Sequence, residues 1–368
     1  MNIFLTTQIE HKKLRFHVQD KSGKTKCYKM HIGRKNENCP TLKVHGTIMP
    51  EVTEDVYLGD ILSCDGKNSK NIKNRISKGV GIINQIFNIL ENVSFGSHFF
   101  KMAVLLRESM LINGIMTNAE IWYNFSKNEI EEFESLDRLF FRRLLEVPIT
   151  TPNEAYYLEL GVLPVHAIVK ARRINYLHSI LKRDKNGMVY SFFITQWYSP
   201  SKGDWTEQVK EDLMDFNISS SFDFIESKSA EAFKNLVKIR AKKYALEVLL
   251  NKKLKHRKMD NVAYRDLKMQ DYFTSDQMDN KQKKTVFKYR TRMERFGENF
   301  RGGRDHVMCP VCTLHLDSQD LSLQCPVVMK EIHCTGDIRE IYGDVIRKEI
   351  VQTVTKVIEF RRSKIENG

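Results

Sequence analysis

The chain has 368 residues, 41% of them hydrophobic, and carries 59 Lys and Arg against 46 Asp and Glu, a formal net charge of +13. Such a length and apolar content support a sizeable core and two or three domains, and exclude a wholly disordered chain. The surplus of charge is local: residues 234–304 hold 21 basic and 8 acidic side chains, and the remainder balances at 38 of each. A field so concentrated attracts polyanions, nucleic acid or an acidic membrane surface. Uncharged stretches such as 79–90 and 109–119 fall well short of the roughly 20 apolar residues that span a bilayer. The start, MNIFLTTQIE, has neither a basic leader nor a long apolar run, so an intracellular protein with no membrane partner is expected. Its seven cysteines (27, 39, 64, 309, 312, 325 and 334) would stay reduced there, and clustered ones are then metal ligands sooner than disulfides.

The first 65 residues mix short β-rich runs with turns, and "KCYKMHIG" (26–33) and "DVYLGDILS" (55–63) read as strands. From Lys70 the period changes. Ile72, Ile76, Val80, Ile83, Phe87 and Leu90 recur every three or four residues, one face of an amphipathic helix. Ser126 with Glu129 forms a capping box ahead of the next helical run. Thr151, Pro152 and Glu154 repeat the device, with Pro at the first helical position and Gly161 as the stop. Another helix is expected over 164–182, and "NISSSF" (217–222) reads as a linker and a domain boundary. Beyond it lie two basic helical stretches, 234–258 and 281–304, with aromatic residues among the charges. The fold class expected is mainly α with a small N-terminal β portion (α+β), and the last forty residues read as ordinary polar helix.

The basic stretches carry the first functional expectation. Lysines and arginines that neutralise phosphates release counterions, and neighbouring aromatics stack on unpaired bases. The candidates are Lys242, Lys243, Lys252, Lys253, Lys255, Arg257 and Lys258 in the first stretch, and Lys284, Lys288, Arg290 and Arg292 in the second. The plainer alternative is a solvated helix face whose long side chains cover apolar surface with their stems.

Directly after them comes "CPVCTLHLDSQDLSLQC" (309–325). A two-residue gap lets one tight turn aim the Cys309 and Cys312 thiolates at one ion, and zinc takes four such ligands in a tetrahedron. Cys325 and His315 are the nearest groups to complete the set, with His306, His333 and Cys334 as rivals for the fourth place. A closed site of this kind is structural, because no position remains for a reacting water. The plainer alternative is a group of reduced thiols without metal. Catalytic signatures are lacking: the chain has no Gly-rich phosphate loop, no G-x-S-x-G, no HExxH and no Asp-Asp pair. Glu154, Glu159 and Asp204 read as caps or solvated residues, and His98, His166 and His178 as packed or surface histidines.

Taken in order, "KCYKMHIG", "VYLGDILSCDG" with "NIKNRISKG", "LRESMLINGIMTNAEIWY", "ELGVLPVHAIVKARRINYLHSIL", "GDWTEQVKEDL" and "MCPVCTLHLDSQDLSLQC" form a series that resembles the C-terminal part of reverse transcriptases of non-long-terminal-repeat (LINE-type) retrotransposons. The resemblance covers roughly residues 11–330. It implies a palm remnant over 1–66, a helical thumb-like domain over 67–216, a basic helical segment over 223–304, a zinc knuckle over 305–335 and a helical tail over 336–368. By resemblance Lys26 matches the lysine that assists pyrophosphate departure, with Lys24 a near alternative. Tyr57, Leu58 and Gly59 match the hairpin that grips the primer end, and Cys309, Cys312, His315 and Cys325 the knuckle ligands.

The implied partners are RNA, DNA or an RNA-DNA primer-template, and the missing fingers and palm. Zinc is the implied cofactor, with Mg only in an intact parent polymerase, and the nucleus is favoured over the cytoplasm. Two departures qualify the match. The family's catalytic aspartates should stand before residue 1, so no polymerase activity is expected of the chain as written. Leu321 stands where many relatives place a histidine. The expectation is a nucleic-acid-binding part of such an enzyme. The alternative is a free-standing or domesticated RNA- or DNA-binding protein, and a third reading has the basic helices docking an acidic protein.

Overall fold

The computed structural model describes residues 28–30, 41–44, 47–57, 59–66, 68–122, 125–201, 203–254, 257–299, 308–332, 338–344 and 346–366. The protein is mainly helical, as expected, and the β-strands of the described residues are short, antiparallel and confined to the N-terminal part. Internal packing divides the chain into residues 1–77 and 78–368. That division lies later than the expected 66/67, inside a helix.

In the first unit β1 (Lys43–Val44) pairs with β2 (Thr47–Ile48), and β3 (Glu54–Tyr57) with β4 (Asp60–Ser63). The run 55–63 is therefore a hairpin and not one strand. Its turn passes through Gly59 at φ +87°, a conformation open to glycine at little cost. Of the other expected strand only 28–30 are described, and they hold one isolated parallel bridge, Lys29 to Glu51. The hairpin's return strand is anchored by α1 (Ser69–Asn92): buried Asp60 accepts from Asn71 Nδ2 and Arg75 Nη2, each at 2.8 Å.

In the second unit the later turns of α1 bury Ile83, Ile86, Phe87 and Leu90. A Cβ on Gly79 would lie 2.3 Å from Leu136 Cδ2, so glycine permits the close approach to α4 (Lys127–Leu145). α2 (Phe99–Leu106) continues through a π-helical stretch, Arg107–Ile112, into α3 (Asn113–Ile115). From that stretch the fully buried Arg107 forks onto Asp137 of α4 at 2.7 and 2.6 Å. The capping box of Ser126 and Glu129 starts α4 as expected.

At α5 (Asn153–Leu160) the expected device differs. Pro152 is itself the N-cap, and the Thr151 hydroxyl turns back to the Pro148 carbonyl at 2.7 Å. Gly161 does end this helix, at φ +64°. A Cβ there would lie 2.0 Å from the Lys268 carbonyl carbon, so only glycine lets residues 268–270 pass; the Gln270 N–H then bonds the Glu159 carbonyl at 2.9 Å.

Helices α6 (Val165–Leu181), α7 (Met188–Tyr198), α8 (Trp205–Asp215), α9 (Phe222–Glu226) and α10 (Ala230–Lys253) follow. They share one core: Ile174, Leu177, Phe193, Trp197, Phe216 and Ile218 pack with Ile225, Phe233 and Val237. The boundary expected at 217–222 is thus no boundary, because apolar residues on both sides are buried together. The chain ends through α11 (Asp271–Thr274), α12 (Asn280–Arg290), α13 (Pro326–Glu331) and α14 (Lys348–Glu366). α14 is amphipathic rather than plainly polar, with Ile350, Val351, Val354, Val357 and Ile358 buried. Among the described residues no helix is long and apolar enough to cross a membrane.

Candidate metal centre and basic surface

The Sγ atoms of Cys309, Cys312 and Cys325 all lie within 4.8 Å of one another, close enough to hold a metal ion. Two local structures bring them there. Met308 and Leu316 form an antiparallel bridge, the Cys309 N–H donates to the His315 carbonyl at 2.7 Å, and the Thr313 N–H donates to the Cys309 carbonyl at 2.8 Å. Thr313 takes a left-handed φ of +55° to close this turn. Cys325 enters from the other side as the N-cap of α13, whose first position is Pro326. Pro326 thus stands at a rigid helix start, as its fixed φ favours.

The surroundings separate the thiols. At Cys312 burial opposes ionisation, but the backbone N–H groups of Leu314 and His315 aimed at the sulfur, with the other two thiols, outweigh it and lower the pKa. At Cys325 burial pushes the thiol up, and sharing the site with Cys312 and Cys309 adds to the rise. Donors that favour a thiolate, beside thiols that resist a second one, are relieved together by a cation.

The His315 ring is exposed and does not belong to the thiol group; its part is played by the backbone. His306, His333 and Cys334 lie outside the described residues. A feature that spacing did not reveal is Arg361 of α14. It is 3% exposed, donates from Nη1 to Cys309 Sγ at 3.5 Å, pairs with Asp317, and lies 4.5 Å over the Phe296 ring. Val357 and Phe360 of the same helix pack against Cys309, Cys325, Val328 and Ile332. The segments expected as separate knuckle and tail therefore share one small core.

The two basic stretches differ in what their charges meet. On α10, Lys234, Lys238 and Lys243 are exposed and Lys242 is half-buried, and among the described residues none of them pairs with a carboxylate. Lys234 and Lys238 were not singled out by sequence, yet their spacing puts them in line with Lys242, four residues apart. Lys252 is exposed near Glu134, and Lys253 lies 5.9 Å from the Tyr264 ring. Lys258 is half-buried, the Arg257 side chain is not among those described, and Lys255 lies outside the described residues.

α12 is stitched inward instead. Lys281 pairs with Glu359 at 2.8 Å, Lys284 with Glu146 at 2.6 Å, and the buried Lys283 ammonium reaches the Ser97 carbonyl at 3.1 Å. Burial pulls the half-buried Lys288 ammonium down, and Arg292 pairs with Asp320 at 3.0 Å. Arg290 corrects the expectation most clearly. It is buried, and it donates to Glu159 at 2.8 Å and to the carbonyls of Ile341 and Gly343 at 2.6 and 2.9 Å. The hydroxyls of Tyr264 and Tyr272 complete the Glu159 carboxylate at 2.5 and 2.9 Å. Glu159 is thus neither a cap nor a solvated residue, and Arg290 cannot reach a phosphate.

Other expectations hold as structure. Asp204 caps α8, accepting the Glu207 N–H at 2.8 Å. His178 stacks on Phe233 and meets the Lys228 carbonyl, and His166 meets Glu134 at 2.6 Å. Of the primer-grip residues, Gly59 sits at the hairpin turn, the Tyr57 side chain is not among those described, and Leu58 and Lys26 lie outside the described residues. No family model, no curated protein and no solved structure matches the chain.

Proposed function

We propose that this protein binds nucleic acid through the lysine face of α10 and carries a structural zinc centre at Cys309, Cys312 and Cys325. The observation that carries this reading is the contrast in charge use: among the described residues α10 leaves a row of lysines without carboxylate partners. Such a row repels itself and is relieved by a polyanion, whose counterions are released on binding. Zinc fits the thiol group, since three sulfurs about 2.3 Å from one tetrahedral ion stand about 3.8 Å apart. By sequence His306, His333 and Cys334 are the groups for the fourth place. Reduced thiols are kept in an intracellular setting.

The ordered resemblance to LINE-type reverse transcriptases supports a primer-template duplex as the polyanion, with this chain as grip and not as polymerising centre. A salt titration of binding to single-stranded RNA, an RNA-DNA primer-template and heparin tests it. Tighter binding to the primer-template, weakening steeply with salt, is expected. Equal binding to heparin would reduce the surface to a general anion exchanger, and absence of binding would remove the reading.

A further inference from the structure

We infer that Arg361 is a positioning residue of the metal centre, making the docking of the C-terminal helix conditional on the metal. The inference rests on the metal reading above. A dication held by three thiolates leaves a net negative charge in a buried place. Cys309 and Cys325 are almost fully buried, 3% and 1% exposed, so that charge needs a neighbour. Arg361 is the group in place: its fork reaches Cys309 Sγ with one nitrogen and Asp317 with the other.

Its own orientation is fixed from several sides. Asp317 also accepts the Gly297 N–H at 2.7 Å, which ties the carboxylate to the loop after α12, and the Phe296 ring lies under the guanidinium. The side chain is therefore held before any metal arrives. The coupling runs both ways. Removing the metal takes away the charge that Arg361 compensates and leaves it the Asp317 carboxylate, and the packing of Val357 and Phe360 on the cysteines loses its anchor. Partners that support a metal ligand in this manner typically alter metal affinity by about 10–100-fold.

The test compares the full chain with Arg361→Gln and Arg361→Lys. Bound zinc is measured first, then its release to a colorimetric chelator, and hydrogen exchange of residues 350–361 is followed in the unsubstituted protein with and without chelator. The expected result is one zinc per chain, release about 10–100-fold faster in Arg361→Gln, a smaller change in Arg361→Lys, and loss of protection in α14 on chelation with α10 unchanged. A purely structural arginine would lower the stability of zinc-loaded and stripped forms alike and leave release unaltered. Unaltered release, or α14 protection indifferent to chelator, with zinc bound overturns the inference alone. A protein purified without chelator that holds no zinc overturns the inference and the metal reading together.

Discussion

α10 and α12 are both basic, and they use the charge in opposite ways. α10 buries Phe233, Val237, Ala241, Ala245 and Leu249 along one stripe and leaves its lysines at the surface. α12 is shorter and is buried on more of its circumference, including Lys283 and Arg290. A cation inside the protein must be paired, and Arg290, Lys284 and Lys283 are, with Glu159, Glu146 and a main-chain carbonyl, while the exposed Lys281 meets Glu359 at the surface. Net charge therefore counts binding potential only after internal pairs are removed. The lesson is that α12 is a structural clamp with a basic composition, and α10 is the helix that keeps its lysines at the surface.

The comparison can be broken first at Arg290. Arg290→Met should cost about 3–5 kcal/mol, because Glu159 would be left buried with only two tyrosine hydroxyls, while affinity for polynucleotide in the folded fraction stays the same. Denaturant unfolding and binding measured on one preparation decide this, and a stable variant with weakened binding would reverse the assignment. Removing the α12 cap is a smaller blow. Asp279 and Gln282 form a capping box, so Asp279→Ala should cost about 1 kcal/mol by thermal melting, again without effect on binding. At the low end, Lys281→Ala breaks an exposed pair with Glu359 and should leave stability nearly unchanged. A larger loss would mean that α12 and α14 are held mainly by surface charge, against the burial described.

Much of this was legible in the sequence, and the illegible parts share a cause. Hydrophobic period and capping chemistry are local, so the helix from Lys70, the Ser126 box and the Gly161 stop could be read directly. The Cys309 and Cys312 pair is likewise local, and Cys325 joins it as expected. Pairing is not local. The partners of Lys281, Lys284 and Arg290 stand 78, 138 and 131 residues away, so composition alone made the second stretch look like the first. Arg361 meets Cys309 across 52 residues, and no spacing rule reaches that far. The buried face of α14 is different: Ile350, Val354, Val357 and Ile358 follow the helical period and could have been read, had the charged residues between them not dominated.

The central claim, that α10 and not α12 meets the polyanion, is tested most directly by the salt dependence of binding to an RNA-DNA primer-template. Wild type is compared with Lys234→Gln/Lys238→Gln/Lys243→Gln and with Lys281→Gln/Lys284→Gln/Lys288→Gln. Each phosphate contact contributes about 0.7–0.9 to the slope of log affinity against log salt. The account predicts a slope shallower by about 2 for the α10 variant and an unchanged slope for the α12 variant. Equal slopes for wild type and the α10 variant, or a loss confined to the α12 variant, would contradict it.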